Sequence, residues 1–243
     1  MKHWLKPDWP APQNVQAICT TRSGGVSLTP FDSLNLGDHV GDDPVAVARN
    51  RQLVAELLDL PSTPFWLQQV HGVKVAQQNV DNLGCPADAS VSFKTNEVCV
   101  VMTADCLPVL FCNRAGTRVA AAHAGWRGLC DGILEETVRA LGCDPAEILA
   151  WMGPAIGPQA FEVGGEVRSA FMAHDQQAAK AFKPILADKW LADIYQLGRQ
   201  RLTACGVSQV FGGNWCTYTQ QDLFFSFRRD QQTGRMASLI WLN

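Results

Sequence analysis

The sequence lacks the long apolar segments and the basic tracts that mark membrane and nucleic-acid proteins. Its longest apolar stretch, near residues 98–111, is interrupted by Asp105 and is too short to cross a bilayer. Residues 1–13 contain no apolar core of a secretory signal. Because the net charge is -3 and no block of lysine or arginine occurs, we expect neither nucleic acid nor a membrane as a partner.

Short motifs of several common enzyme classes are also missing. There is no G-x-G-x-x-G or Walker loop, no H-E-x-x-H, no G-x-S-x-G, and no zinc-deaminase pair of H-x-E with P-C-x-x-C. The cysteines number 9, an odd count with irregular spacing and no C-x-x-C pair. We therefore expect reduced thiols and a cytoplasmic location instead of a disulfide framework.

What the sequence does contain is a mixture of strand and helix patterns, which we interpret as one domain spanning residues 1–243. Short buried runs predict strands at 15–21, 65–70, 98–103, 108–112, 118–122, 148–152, 207–211, 223–228 and 237–242. Apolar residues at helical spacing predict helices within 43–60, 131–142, 166–173 and 188–206. The strands do not alternate regularly with helices, so we predict an α/β (α+β) fold of layered mixed β-sheets flanked by helices, not a doubly wound nucleotide fold.

Two ionisable side chains stand inside apolar runs. Cys106 lies in TADCLPVLF, and His123 lies in AAHAGWRG. They could be core residues, a nucleophile with its base, or ligands of one metal. His71, at the end of the apolar segment WLQQVHG, is a third candidate, and His, Cys and His together could form a zinc site with an open fourth position, as catalytic sites do. The spacing alone leaves these alternatives open.

Several longer motifs occur together and in order along the chain. They are TTRSGGVS, SLNLG, QQVHG, ADA, MTADCLPVL, AAHAGWRG and GPAIGP, and they extend from about residue 20 to residue 158. In combination they closely resemble the YfiH family of bacterial purine nucleoside phosphorylases. The same family is also named for a laccase domain and for multicopper polyphenol oxidase.

The resemblance implies a fold of packed mixed sheets related to the cysteine hydrolases of the cytotoxic necrotizing factor type. It implies a zinc site on His71, Cys106 and His123, with Cys106 and His123 also taking part in catalysis. The implied substrates are purine nucleosides and phosphate: phosphorolysis of adenosine, guanosine or inosine and methylthioadenosine, together with deamination of adenosine. We also expect a homodimer, although no motif in the sequence indicates the oligomeric state.

Four polar residues within the motifs are candidate substrate contacts. Arg22 stands beside glycines and is the natural phosphate ligand, because a guanidinium and free backbone N–H groups bind phosphate well. Asn35 and Arg127 are candidates for ribose or phosphate contacts, with a loop-bracing role as the alternative. Asp88 could support a ligand histidine or lie near the pocket. Asp105 is interpreted mainly as a residue that bonds to neighbouring backbone.

Other functions stay open at this point. A cytoplasmic cysteine hydrolase that edits cell-wall precursors would use Cys106 as nucleophile and His123 as base, and bound metal would inhibit it. Copper could occupy the same three ligands because it binds such sites more tightly than zinc, although 5 histidines are few for a multicopper polyphenol oxidase. A non-catalytic binding module would turn over no nucleoside.

Overall fold

The computed structural model describes residues 4–243 as a layered arrangement of strands and helices. The strands are β1 (Trp4–Leu5), β2 (Val15–Thr20), β3 (Val75–Gln77), β4 (Ala89–Ser92), β5 (Val98–Thr103), β6 (Leu107–Asn113), β7 (Val119–Ala124), β8 (Ile148–Met152), β9 (Glu162–Gly164), β10 (Phe182–Leu186), β11 (Lys189–Ala192), β12 (Gln209–Gly212) and β13 (Met236–Leu242). The α-helices are α1 (Pro44–Leu58), α2 (Trp126–Asp131), α3 (Ile133–Leu141), α4 (Gly165–His174), α5 (Ile194–Ala204) and α6 (Phe227–Asp230). Short 3-10 turns cover Pro145–Glu147 and Gln176–Ala181.

The described strands form sheets of six, four and three strands. The six-stranded sheet has the order β12-β8-β6-β7-β4-β3 and is mixed, because β12 pairs with β8 and β3 pairs with β4 in parallel while its other pairs are antiparallel. The four-stranded sheet, β1-β2-β13-β5, is antiparallel throughout, as is the small sheet β10-β11-β9. These mixed and layered sheets confirm the predicted fold class.

The alternation of side chains along the central strands explains why their sequences are almost entirely apolar. Along β6, Val109 and Phe111 contribute to the core beside α3 and α5, whereas Leu110 and Cys112 pack toward the four-stranded sheet. Residues of β5 alternate in the same way between the space between the sheets and the core beside α1. A strand covered on both faces needs apolar residues at every position, so the run loses the polar alternation of a half-exposed strand.

The helix boundaries follow from local chemistry. The side chain of Asp43 accepts the Val45 N–H at the start of α1, with Pro44 at the first helical position, as the sequence predicts. The helix α3 ends at Gly142, whose φ of 61° is the left-handed conformation that favours glycine. None of the helices formed by residues 4–243 is both long and apolar enough to cross a membrane.

Some predicted elements differ from the structure. The helix predicted within 188–206 begins only at Ile194, because Lys189–Ala192 pairs with two other strands and Asp193 caps the helix. The strand predicted at 223–228 is wrong: this segment is a loop that leads into α6. The segment 65–70 forms only isolated bridges, of which Phe65 with Cys99 is one. In both segments apolar residues are buried without a continuous partner strand, which periodicity cannot distinguish from a strand.

Candidate metal centre

Strand pairing brings Cys106 and His123 to one end of the central sheet. Cys106 directly precedes β6, and the antiparallel register of β6 with β7 sets Pro108 opposite His123. His71 reaches the same place from the loop that precedes β3. Sγ of Cys106 lies 3.9 Å from Nε2 of His71, and the potential ligand atoms of the three residues all lie within 4.8 Å of one another. The structure therefore assembles three donors from a stretch of chain that spans 52 positions, from His71 to His123.

Asp88 connects the two histidines. One oxygen of its carboxylate accepts the Nδ1–H of His123 at 2.8 Å and the N–H of His71 at 2.9 Å. The other oxygen accepts the N–H groups of Val70 at 3.2 Å and Gly72 at 2.7 Å. A carboxylate at Nδ1 fixes the orientation of the imidazole and leaves Nε2 of His123 as the atom that would bind a metal, the arrangement typical of metal-ligating histidines.

Two glycines allow the loops around the centre to come this close. A Cβ atom at Gly125 would lie 2.7 Å from Cδ2 of His71 and 3.1 Å from Sγ of Cys106. A Cβ atom at Gly128, in the helix α2, would lie 2.8 Å from the carbonyl oxygen of Gly72. Real Cβ atoms do not approach other atoms so closely, so the G-W-R-G motif provides the space in which His71 packs against the end of β7.

The electrostatics of the centre favour the thiolate form of Cys106. Burial alone would raise the pKa of this thiol, but the charge of His123 and hydrogen bonds from His123 and His71 outweigh burial and lower the pKa to about 6. Burial likewise opposes the charged form of His123, while the Cys106 thiolate and the Asp88 carboxylate raise its pKa to about 9. A thiolate is the form of cysteine that binds a metal or attacks a carbon.

The donor set fits a metal ion. Two imidazoles and one thiolate match the three-protein-ligand pattern of catalytic zinc sites, and they are also acceptable to copper. Asp88 supplies the supporting hydrogen bond that such histidines require. Among residues 4–243, His71, Cys106 and His123 are the one group of histidine, cysteine or acidic side chains whose ligand atoms lie close enough together to hold a metal ion. All 9 cysteines are unpaired.

Asp105 holds the turn that carries Cys106. Its backbone has a φ of 91°, which is unusual for a residue with a side chain. Its carboxylate accepts the hydroxyl hydrogen of Thr217 and the N–H of Arg228, each at 2.6 Å. Asp105 thus does bond to backbone, but to segments more than a hundred positions away instead of to its neighbours.

Arg22 is engaged by its own surroundings. Its Nε donates to the carbonyl oxygen of Asp32 and its Nη1 to that of Gln221, both at 3.1 Å. The guanidinium carbon lies 4.8 Å from the centroid of the Phe225 ring. These contacts fasten the T-R-S-G-G loop to the segment before α6 and favour a bracing role. A phosphate contact from Arg22 stays a prediction.

Asn35 and Arg127 have contrasting environments. Asn35 is fully buried; its amide oxygen accepts the N–H groups of Gly37 and Arg235, and its amide nitrogen donates to the Gly37 carbonyl and to Asp42. A direct substrate contact from Asn35 stays a prediction that this geometry does not favour. Arg127 is exposed in the first turn of α2, stacked 4.5 Å from the Trp126 ring. No hydrogen bond or ion pair occupies its guanidinium among residues 4–243, so it is free to meet an anion.

Comparisons with known proteins identify the relatives of this chain. A family model described as "Multi-copper polyphenol oxidoreductase laccase" matches residues 16–243. The chain is 60% identical to "Purine nucleoside phosphorylase YfiH" of Escherichia coli (strain K12), covering 100% of both chains. It is 57% identical to "Purine nucleoside phosphorylase PA4543" of Pseudomonas aeruginosa, covering 100% of this chain and 99% of that relative.

Solved structures of similar proteins have the same fold as this chain. The crystal structure of Neisseria meningitidis protein NMB0706 superposes with a TM-score of 0.96 at 52% identity, covering 100% of both chains. YlmD from Geobacillus stearothermophilus superposes with a TM-score of 0.90 at 29% identity, covering 100% of this chain and 97% of that one. The match of the family model and the identity of 60% over the full chain establish that this protein belongs to the YfiH family of laccase-domain proteins, whose named relatives in E. coli and P. aeruginosa are purine nucleoside phosphorylases.

Proposed function

We propose that this chain is a zinc-dependent purine nucleoside phosphorylase that cleaves adenosine, guanosine or inosine and methylthioadenosine with phosphate, and that it also deaminates adenosine. The observation that carries the proposal is the cluster of His71, Cys106 and His123 supported by Asp88, in a chain 60% identical to a named purine nucleoside phosphorylase. We place the activity in the cytoplasm and in one catalytic domain. A homodimer stays a prediction.

The three ligands have distinct tasks in this proposal. His123 is the rigid donor, since it is buried and bonded to Asp88. Cys106 provides a negative charge that holds a divalent cation, and His71 completes the set from a loop exposed to solvent. When bound, zinc would supply Lewis acidity and would make a water molecule acidic enough to react near neutral pH.

Phosphorolysis transfers the ribosyl group of the nucleoside to phosphate. An oxygen of phosphate bonds to C1′ as the C1′–N9 bond breaks, and the electron pair of that bond leaves with the purine, which takes up a proton. The chain must therefore hold phosphate beside the ribose, and cationic side chains do this best. Arg127 is one candidate for a contact with phosphate or ribose, because it is exposed two positions after Gly125 and carries no ion pair within residues 4–243.

A nucleoside turnover assay tests the proposal directly. Zinc-loaded protein is incubated with adenosine, and free adenine and inosine are measured in parallel while inorganic phosphate is varied. We expect adenine and ribose 1-phosphate to form only with phosphate, and inosine to form without it. Release of no purine base from adenosine, guanosine, inosine or methylthioadenosine at any phosphate concentration would refute the phosphorylase assignment.

The contacts of Arg22 in the structure change the effect that we expect from Arg22→Ala. The sequence predicts that Arg22→Ala impairs phosphorolysis more than deamination. The contacts of Arg22 with two carbonyl groups and Phe225 lead us to expect a loss of about 1–3 kcal/mol of unfolding free energy, with both products reduced in equal proportion. Urea denaturation and the two-product assay measure this. A selective loss of adenine release would restore the phosphate role of Arg22.

One observation favours a second candidate function. Asp88, His123 and Cys106 are arranged as acid, base and nucleophile, and the thiol has a pKa of about 6. That arrangement suits a cysteine hydrolase acting on amide bonds, such as those of cell-wall precursors. This activity would need no metal and would not require His71. A chelated preparation that still hydrolysed amides, and lost this activity on adding zinc, would support the hydrolase instead.

Copper at the same ligands is a further variant of the proposal. The description of the matching family model names a multicopper oxidoreductase. Within residues 4–243 a single three-residue cluster has ligand spacing, whereas oxidation of phenols by a multicopper enzyme needs several coupled copper ions. Copper bound here would therefore replace zinc at one centre. Elemental analysis of protein purified without added metal distinguishes the two ions.

A further inference from the structure

We propose that Arg235 binds the phosphate substrate beside the metal centre, and that the S-L-N-L-G segment, residues 33–37, holds Arg235 in position for this task. This inference rests on the proposed phosphorylase function. The segment around Arg235 carries none of the motifs on which the sequence analysis relied, and the argument comes from its position, its free hydrogen-bond donors and its support.

Sheet register brings Arg235 to the metal centre. Arg235 directly precedes β13, and the first residue of β13, Met236, pairs with Thr103 at the end of β5. The chain then continues from Thr103 into the turn that carries Asp105 and Cys106. The negative groups that act on the Arg235 guanidinium are those same two residues, the Cys106 thiolate and the Asp105 carboxylate.

Arg235 is nevertheless not part of an ion pair. Among residues 4–243 no carboxylate lies within 4.0 Å of its nitrogens, and both oxygens of Asp105 already accept hydrogen bonds from Thr217 and Arg228. Burial is the main influence on the Arg235 guanidinium and lowers its pKa. Burying a cation removes part of its hydration, and no bonded carboxylate compensates Arg235 for that loss. An anion that binds to the guanidinium would supply the missing compensation, so anion binding is favoured here.

The donors of Arg235 are divided in a way that suits phosphate. Nη1 donates to the carbonyl oxygens of Thr233 at 2.9 Å and Gly234 at 3.0 Å, which fixes the plane of the guanidinium. Nε and Nη2 have no hydrogen-bond partner within residues 4–243. These two nitrogens form one edge of the group, whose parallel N–H bonds match two oxygens of a phosphate. In Arg22, by contrast, Nε and Nη1 both donate to carbonyl groups.

The S-L-N-L-G segment supports this placement. The buried amide oxygen of Asn35 accepts the N–H of Arg235 at 2.9 Å, and the N–H of Leu36 donates to the carbonyl oxygen of Arg235 at 3.1 Å. A Cβ atom at Gly37 would lie 2.8 Å from Cγ of Arg235, so glycine leaves the space that the side chain occupies. Asn35 is thus a positioning residue for Arg235, which gives it a role without a direct substrate contact.

Titration of inorganic phosphate into the zinc-loaded protein tests the inference. Arg235→Met removes the charge and keeps the apolar stem, whereas Arg235→Lys keeps a charge without the two-donor edge. We expect Arg235→Met to raise the Kd for phosphate about 10- to 100-fold, and Arg235→Lys to recover part of this loss. In steady-state assays the KM for phosphate should rise in parallel, while the KM for adenosine changes little.

Matched controls separate binding from folding. Arg49→Met removes an exposed arginine of α1 and should leave the Kd within about twofold of wild type. Gly37→Ala keeps Arg235 but displaces its side chain, so it should also weaken phosphate binding while the zinc content stays normal. Because Gly37→Ala and Arg235→Lys retain the charge, they serve as tests even if Arg235→Met does not fold.

Two results would overturn the inference. One is a folded, zinc-loaded Arg235→Met protein whose Kd for phosphate lies within about twofold of wild type, which would assign phosphate to the metal or to another cation. The other is a fall in melting temperature with no selective effect on phosphate, which would make Arg235 a structural residue. Failure of the proposed phosphorylase function would look different. The wild-type protein would then bind phosphate, and Arg235→Met would weaken that binding, but no purine base would be released from any nucleoside.

Discussion

Replacing His71, Cys106 or His123 with alanine is expected to remove the bound metal and to lower nucleoside turnover by about 10³-fold or more. The three ligand atoms lie within 4.8 Å of one another, and the described part of the chain offers no fourth histidine, cysteine or acidic side chain with this spacing. Loss of one ligand from a three-ligand site leaves two donors, which hold a divalent ion poorly. Several kcal/mol of catalytic stabilisation then disappear with the ion.

Elemental analysis and the two-product assay measure both consequences in the same preparations. His174→Ala, on the exposed end of α4, and Cys143→Ala, which changes a partly exposed thiol, are matched controls that should keep metal and turnover. If each single variant of the three ligands retained full metal occupancy, the ligand assignment would be wrong. The result for His71→Ala is the most informative, because a cysteine hydrolase based on Cys106 and His123 would keep its nucleophile and its base after that change.

The layering of the fold could be predicted from the sequence because the signal is local. Residues 98–102 and 148–152 are apolar at every position, and both runs lie in the strands β5 and β8. Such runs indicate strands that are covered on both faces. The short strands β3, β4 and β9 escaped prediction since each has only three or four residues, and their pairing partners are distant in the chain.

The candidate ligands could also be identified, but their support could not. His71, Cys106 and His123 stand out as ionisable residues in apolar surroundings. The four hydrogen bonds that Asp88 accepts at its side chain depend on β4 pairing with β7, where Ala89 lies opposite Ala122. Arg235 is a stronger example, because its neighbours in sequence give no indication of function. The pairing of β13 with β5 brings it near the turn that carries Cys106, whose charge acts on its guanidinium.

The same reasoning explains why Arg22 and Asn35 attracted functional predictions. Both lie in motifs with glycine, where a polar side chain near flexible backbone is typical of a ligand site. The structure shows that such a motif can also serve to hold another segment. Arg22 fastens its loop to the chain near Gln221, and Asn35 fastens its loop to Arg235. Composition and spacing cannot distinguish a residue that binds substrate from one that positions the residue that does.

Asp88→Asn is expected to reduce both stability and metal affinity, because this substitution keeps the shape of the side chain and removes half of its acceptors. Asp88 is fully buried, and each of its oxygens accepts two hydrogen bonds. An amide nitrogen in place of either oxygen would meet N–H donors only. It would face Val70 and Gly72 on one side, or His71 and His123 on the other. Two donors then lose their acceptor in either orientation.

The expected loss is about 3–5 kcal/mol of unfolding free energy, the range for breaking a buried charged pair by removing one partner. Zinc affinity should fall about 10- to 100-fold, since the orientation of His123 and of the His71 loop both depend on the carboxylate. Urea denaturation and competition with a chelator measure the two effects. Asp131→Asn, an exposed acid at the end of α2, is the matched control and should change stability by less than about 0.5 kcal/mol. A folded Asp88→Asn protein with the stability and zinc affinity of wild type would mean that the histidines hold their positions without Asp88.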